Sequence, residues 1–109
     1  RLPLHTEIAL YRVMQEALTN VARHAQAAHV SIKLHEKGGL LSLTIQDDGC
    51  GFDVNAVMQS EERGLGLHGI QERVELIGGT LILRSAAREG TLLNVEVPVL
   101  DKVRAEWLE

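Results

Sequence analysis

"GLGLHG", residues 64–69, spaces its glycines as G-x-G-x-x-G, and an apolar-periodic run follows it. As a dinucleotide-binding turn it would commit the chain to a parallel α/β sheet and hydride chemistry. As a glycine-rich phosphate loop of another kind it would commit it to a different fold and to phosphoryl chemistry. The dinucleotide turn requires a strand running into the first glycine. Met58-Gln59-Ser60-Glu61-Glu62-Arg63 stands there instead, polar and without alternation. Arg84, at the end of the next strand, could imitate a reader of a 2′-phosphate, so the rival keeps one supporting residue. Against it, 109 residues do not hold two mononucleotide-binding halves, and the strands alternate as antiparallel ones do.

Outward from this stretch, residues 66–77 read as a helix with Leu67, Ile70, Val74 and Ile77 on one face, stopped by Gly78-Gly79. Gly69 falls inside it and reads as a close-packing position. Upstream, residues 48–65 are rich in Gly, Asp, Asn, Ser and Glu, with a weak helical patch at Val54–Met58. A loop of that length in a small domain is usually functional or mobile. Before it come two alternating runs. Val30, Ile32 and Leu34 face one way, then Leu41, Leu43 and Ile45, with Lys37-Gly38-Gly39 between them. This is a hairpin in which each strand has one buried face. Residues 6–26 read as a long helix, with Thr6 as N-cap and Ile8, Tyr11, Leu18, Val21, Ala22 and Ala25 at helical spacing. Downstream, Leu81–Leu83 is a strand and Arg88-Glu89-Gly90 a turn. Leu93, Val95, Val97 and Val99 form a last strand, in which Pro98 signals an edge or an end. The order predicts an α+β two-layer sandwich, with helices on one face of a mixed, mostly antiparallel sheet.

Composition narrows the function classes. The hydrophobic fraction is 45%, the charged fraction 24% and the aromatic fraction 3%, so the core is aliphatic. Net charge is −4 and no basic stripe exists, which gives nucleic-acid binding no support. Cys50 is the single cysteine, so there is no internal disulfide and no multi-Cys zinc site. Neither a transmembrane run nor a signal peptide is visible. The expectation is one excised domain over residues 1–109, with Leu108-Glu109 a vector remnant.

Three clusters carry candidate chemistry. In "QEALTNVARHA", residues 15–25, Glu16, Asn20 and His24 recur every four residues on one helix face, with Arg23 beside them. A solvated polar face explains that pattern equally well. Functionally, the Asn20 carbonyl is a hard oxygen suited to Mg²⁺. Arg23 and His24 suit phosphate oxygens, and Glu16 can accept a proton or orient a water. In "DDGCGF", residues 47–52, Asp47 ends the second strand, and Gly49 and Gly51 let the backbone turn and leave room for a flat ligand. An Asp-Gly turn is the plain alternative. A carboxylate there accepts from an exocyclic amine such as that of adenine; Cys50 reads as incidental. In the opening stretch, Gly64 and Gly66 let amides point at phosphates beside a helix N-terminus, where a flexible loop capping a helix is the plain alternative. Thr91, in "EGTLL", residues 89–93, can join a water network around a bound base.

Four such clusters in this order resemble the GHKL ATPase superfamily, which includes gyrase, heat-shock chaperone, mismatch-repair and sensor histidine kinase domains. Glu16 and Asn20 resemble its N box, and Asp47, Gly49 and Gly51 its D-x-G-x-G box. Gly64, Leu65, Gly66 and Leu67 resemble its second glycine box, and Gly90-Thr91 its terminal Gly-Thr. "LPLHTEIALYRVMQEALTNVARHA", "GLGLHGIQERV" and "GTLLNVEVP" are most similar to the catalytic domains of sensor histidine kinases related to nitrate/nitrite and membrane-fluidity sensors, over residues 2–99. Residues 100–109 form a C-terminal extension.

The resemblance implies the Bergerat ATP-binding fold, with ATP and Mg²⁺ bound. Asp47 would hold the adenine amine, assisted by Thr91 through water. Asn20 would hold the metal, and Arg23, His24 and residues 64–67 would lie near the phosphates. Residues 52–65 would form a lid, and Glu16 would be the base or polarising residue. The γ-phosphoryl would pass to a histidine on a separate dimerisation domain and then to a response regulator, in the cytoplasm and without direct membrane contact. The lid is short and lacks a Phe-rich box. His5, His24, His29, His35 and His68 do not stand in a phospho-acceptor context, so the fragment should not complete autophosphorylation alone. A serine kinase of the anti-sigma type, a nucleotide-sensing module and the oxidoreductase remain as alternatives.

Overall fold

In the computed structural model, residues 2–59 and 66–98 are described. Gly64, Leu65 and the rest of 60–65, together with Val99 and the extension 100–109, lie outside them. The elements run α1 (Leu4–Asn20), a π-helical turn (Val21–Ala25), β1 (Val30–Lys37), β2 (Leu40–Asp47), α2 (Val54–Gln59), α3 (Leu67–Leu76), β3 (Thr80–Ser85) and β4 (Thr91–Pro98). The four strands are ordered β1-β2-β4-β3. Every pairing among them is antiparallel, which corrects the expected mixed sheet. Pro98 marks the end of a central strand, where its missing N–H costs no ladder bond.

The first helix begins earlier than Thr6. Pro3 carries a fixed φ of −58° and stands at the N-cap, and its carbonyl accepts the amides of Thr6 at 3.0 Å and Glu7 at 3.1 Å. Thr6 is therefore inside the first turn and buried. α1 also carries two apolar stripes, and the sheet takes the one that the period did not single out. Leu10, Val13 and Ala17 are buried, while Ile8 and Tyr11 are 49% and 57% exposed. The helix turns π after Asn20 and ends at Gln26 in the left-handed region. That shifts the facing of residues 21–25 relative to a straight α-helix.

The tight hairpin between β1 and β2 is closed by Gly38 and Gly39, with φ of +62° and +81°, as a primed two-residue turn demands. On β2 the alternation holds, and Leu41, Leu43 and Ile45 are buried. On β1 it does not: Val30, Ile32 and Leu34 are 43%, 44% and 65% exposed. Pattern sets which way a side chain points, but an edge strand is buried only if the helix layer extends over it, and here the layer stops short.

α2 is a real helix where only a weak patch was read. The Asp53 side chain caps it by accepting the Ala56 amide at 3.1 Å. α3 buries Leu67, Ile70 and Val74 against α1 and the sheet, as its period predicts. The core is one aliphatic layer. Leu10, Val13 and Ala17 from α1 and the α3 trio meet Leu41, Leu43, Ile45, Leu93, Val95 and Val97 from the two central strands. Full burial of each Leu, Ile or Val among them contributes about 1.5–3 kcal/mol. The other sheet face is polar, and there Asn94 donates to Ser42 and Thr44, each at 2.8 Å.

Candidate nucleotide site

Across the helix-facing side of the sheet, residues line up in transverse rows. Leu43, Val95 and Leu81 form one, and Ile45, Leu93 and Leu83 the next. The last row is Asp47, Thr91 and Ser85. The same period of two that builds the core therefore delivers a carboxylate and two hydroxyls onto the core face at the sheet's end. Above this row the layers part and leave a cleft. Ala17, Val21, Ile45, Phe52, Leu67, Leu83 and Leu93 make its apolar walls, and Asp47 and Thr91 supply polar groups. Asn20 and His24 line it from the helix side.

The loop after β2 is fixed by its own backbone. Asp47 is nearly buried, and its Oδ1 accepts the Gly49 amide at 2.8 Å. A carboxylate accepts through two oxygens, so Oδ2 remains for a donor in the cleft. The π-helical turn ends against this loop, with the Cys50 amide donating to the Ala25 carbonyl at 2.7 Å. Gly49 is required by that approach, since a Cβ there would collide with the Ala25 carbonyl. The space expected for a ligand at Gly49 is thus filled by backbone. At Gly51 and Gly90 a Cβ would likewise meet the carbonyls of Ala86 and Asp47.

Asp48 locks the other side of the loop. Its Oδ1 accepts the amides of Ala28 and His29, each at 2.9 Å, and its Oδ2 lies 2.9 Å from His29 Nδ1. The His29 amide, then the His29 ring, then the Ala28 amide hold the Asp48 carboxyl below its ordinary value of 3.8.

The expected site residues divide into groups. Asn20, His24, Asp47, Gly51, Leu67 and Thr91 line the cleft, and Gly49 backs it. Glu16 and Gly66 line an adjoining hollow of about 450 Å³ with Leu67, His68 and Arg73. A Cβ on Gly66 would come within 2.7 Å of Glu16 Oε2, so that carboxylate rests against the start of α3. Leu67 lines both spaces and joins them. Arg23 is exposed and lines neither. Gly64 and Leu65 lie outside the described residues. Gly69 is not a packing position, because nothing lies within 4 Å of a Cβ built there.

Sequence reasoning missed Ser85, Asp48 and the placement of Cys50. Ser85 was detectable: Leu81, Leu83 and Ser85 keep the strand's period. Cys50 lines the cleft, and its Sγ donates to the His24 carbonyl at 3.2 Å. Among the described residues no group of three or more His, Cys, Asp or Glu side chains is placed to hold a metal ion. Asn20, on the helix side of the cleft, is a residue whose amide oxygen could serve a cation. No described helix is long and apolar enough to cross a membrane.

Comparison with known proteins bears on the family and the fold. The chain is 39% identical over 99 residues to the signal transduction histidine-protein kinase/phosphatase DegS of Brevibacillus brevis, covering 91% of this chain and 25% of that protein. It is 37% identical over 95 residues to the oxygen sensor histidine kinase NreB of Staphylococcus carnosus, covering 87% of this chain and 27% of that one. It thus spans about a quarter of these relatives. The histidine kinase domain of the blue-light-activated kinase of Erythrobacter litoralis shares the fold, with a TM-score of 0.74 at 23% identity over 92% of this chain and 48% of that one. So does the ATP-binding domain of PrrB from Mycobacterium tuberculosis, with a TM-score of 0.67 at 23% identity, over 84% of this chain and 68% of that one. The family model for histidine kinase-, DNA gyrase B- and HSP90-like ATPases matches residues 5–101, and the chain belongs to that family.

Proposed function

We propose that this domain binds ATP with Mg²⁺ and, within a longer sensor kinase, presents the γ-phosphoryl group to a histidine on a separate dimerisation domain. The phosphoryl group would then pass to the receiver domain of a response regulator, in the cytoplasm. The observation that carries the reading is the polar row at the end of an aliphatic core. Asp47 and Thr91 offer acceptors at the floor of an apolar slot, as a flat base with an exocyclic amine requires. Asn20 and His24 stand towards the helix side, where phosphates would lie.

In the transfer, the bond from the γ-phosphorus to the oxygen of the ADP leaving group breaks. A bond to an imidazole nitrogen forms, and the imidazole proton is released. Mg²⁺, when bound, would neutralise phosphate charge. This chain's own contribution is positioning, which dominates phosphoryl transfer. Asp47 orients the base, Asn20 offers an oxygen to the cation, and His24 offers a donor to phosphate oxygens. Glu16, beside the start of α3, is the carboxylate assigned to take up or orient the released proton.

Calorimetry tests the site. Asp47→Asn should weaken ATP binding by roughly tenfold to a hundredfold, since a hydrogen bond to a charged acceptor contributes about 1.5–3 kcal/mol. Unchanged affinity would remove Asp47 from the site. Mixing the domain with a dimerisation domain from a related kinase and γ-labelled ATP should give acid-labile phosphohistidine. Binding without any transfer would favour a nucleotide-sensing module.

A further inference from the structure

Ser85 has three hydrogen-bond partners and no capacity for a fourth. Its Oγ donates to the Gly90 carbonyl at 2.8 Å and accepts the Phe52 amide at 2.9 Å. Its third contact is the Thr91 hydroxyl, also at 2.8 Å. A serine hydroxyl has one proton and two lone pairs. The proton is committed to Gly90, whose carbonyl can only accept, and one lone pair is committed to Phe52. The Thr91 contact must use the second lone pair, so Thr91 is the donor in that bond. Once its proton points at Ser85, Thr91 turns only lone pairs towards the cleft that it lines.

We propose that Ser85 is a positioning residue that fixes the polarity of Thr91 and thereby makes the site select a nucleobase carrying an amine over one carrying a carbonyl at the same position. The inference rests on the nucleotide-site reading. Asp47 and the oriented Thr91 together form a floor of acceptors without a donor. An amino edge, as in adenine, donates to those acceptors directly. A carbonyl edge, as in guanine, meets lone pairs with lone pairs. Without the Ser85 hydroxyl, Thr91 is free to rotate its proton into the cleft and offer the donor that a carbonyl needs. Ser85 acts at the far side of Thr91 and does not itself line the cleft.

The test compares Kd values for Mg-ATP and Mg-GTP in four proteins: wild type, Ser85→Ala, Thr91→Val and the double variant. Ser85→Ala should lower the ATP:GTP affinity ratio by about tenfold, the size expected when one buried polar mismatch is relieved. In the Thr91→Val background, where there is no hydroxyl to orient, the same change should leave the ratio within about twofold. A general loosening of the fold would weaken both nucleotides together and leave the ratio alone. A ratio unmoved by Ser85→Ala, or moved equally in both backgrounds, overturns the proposal.

Should Ser85→Ala not fold, NMR of the unaltered protein still decides the matter. The Thr91 hydroxyl proton should show a cross-peak to the Ser85 β-protons, whereas a cross-peak to bound nucleotide instead would overturn the orientation. A protein that binds neither nucleotide would defeat the site reading, while that proton's position would still report on Ser85.

Discussion

Gly49 and Gly69 show how little a glycine's letter says without its neighbours. Both fall in or beside glycine-rich motifs. A methyl group on Gly49 would collide with the Ala25 carbonyl, while one on Gly69 meets nothing within 4 Å. Gly49→Ala should therefore cost about 1–3 kcal/mol by overpacking and weaken nucleotide binding, because it pushes the loop off the helix end. Gly69→Ala should stabilise α3 by about 0.5–1 kcal/mol, the ordinary helix preference for alanine. Urea denaturation of the two variants checks both signs. Asp48 gives a pH-dependent counterpart. Its folded value is depressed, so its contribution is complete above 3.8 and is lost as pH falls through the lower folded value. Asp48→Asn should be less stable than wild type near neutrality, and the difference should vanish in acid. A difference that stays constant across denaturation curves taken down the acid limb would contradict the assignment.

Strand alternation was legible along β1 and β2 alike, yet only β2 uses it to build the core. The pattern in Val30, Ile32 and Leu34 is as clean as that in Leu41, Leu43 and Ile45. What differs is position in the sheet, a tertiary fact that no local period encodes. Ile32→Ala should accordingly cost much less than Ile45→Ala, for which about 2–5 kcal/mol is expected at a buried site. Chemical denaturation of the pair measures the gap, and equal losses would mean that β1 is covered in solution. The same limit explains α1. Two apolar stripes fit its sequence, and the choice between them is made by where α3 and the sheet lie. The π-helical turn was equally hidden; its last carbonyl, Ala25, accepts the amide of Cys50, a residue remote in sequence.

For the whole molecule, the fold class followed from element order, and the candidate site from four clusters in sequence. Asp47, Asn20 and Thr91 stood out because the proposed chemistry calls for those groups. Their convergence on one cleft was expected only through resemblance, since residues 20, 47 and 91 are brought together by a sheet whose strand order is not written in any one of them. Arg23 shows the converse: proximity along the helix did not bring it to the cleft. The rows explain why the site is at this end of the sheet. Each inner row is closed by helix side chains, and the outermost row is left for something else to close.

On the proposed reading, that arrangement would make a bound nucleotide a structural member of the domain. An occupant that seats on Asp47 and Thr91 completes the stacking that the aliphatic rows begin, so association and folding draw on the same free energy. At a ligand concentration of a hundred times Kd the folded state gains about 2.7 kcal/mol. The gain should be unevenly spread. Amide exchange with Mg-ATP present should slow in segments 47–52 and 85–91 and at the end of the first helix, while the open strand β1 exchanges as before. The protected amides would then trace the footprint of a core that is one row longer than the protein alone can make it.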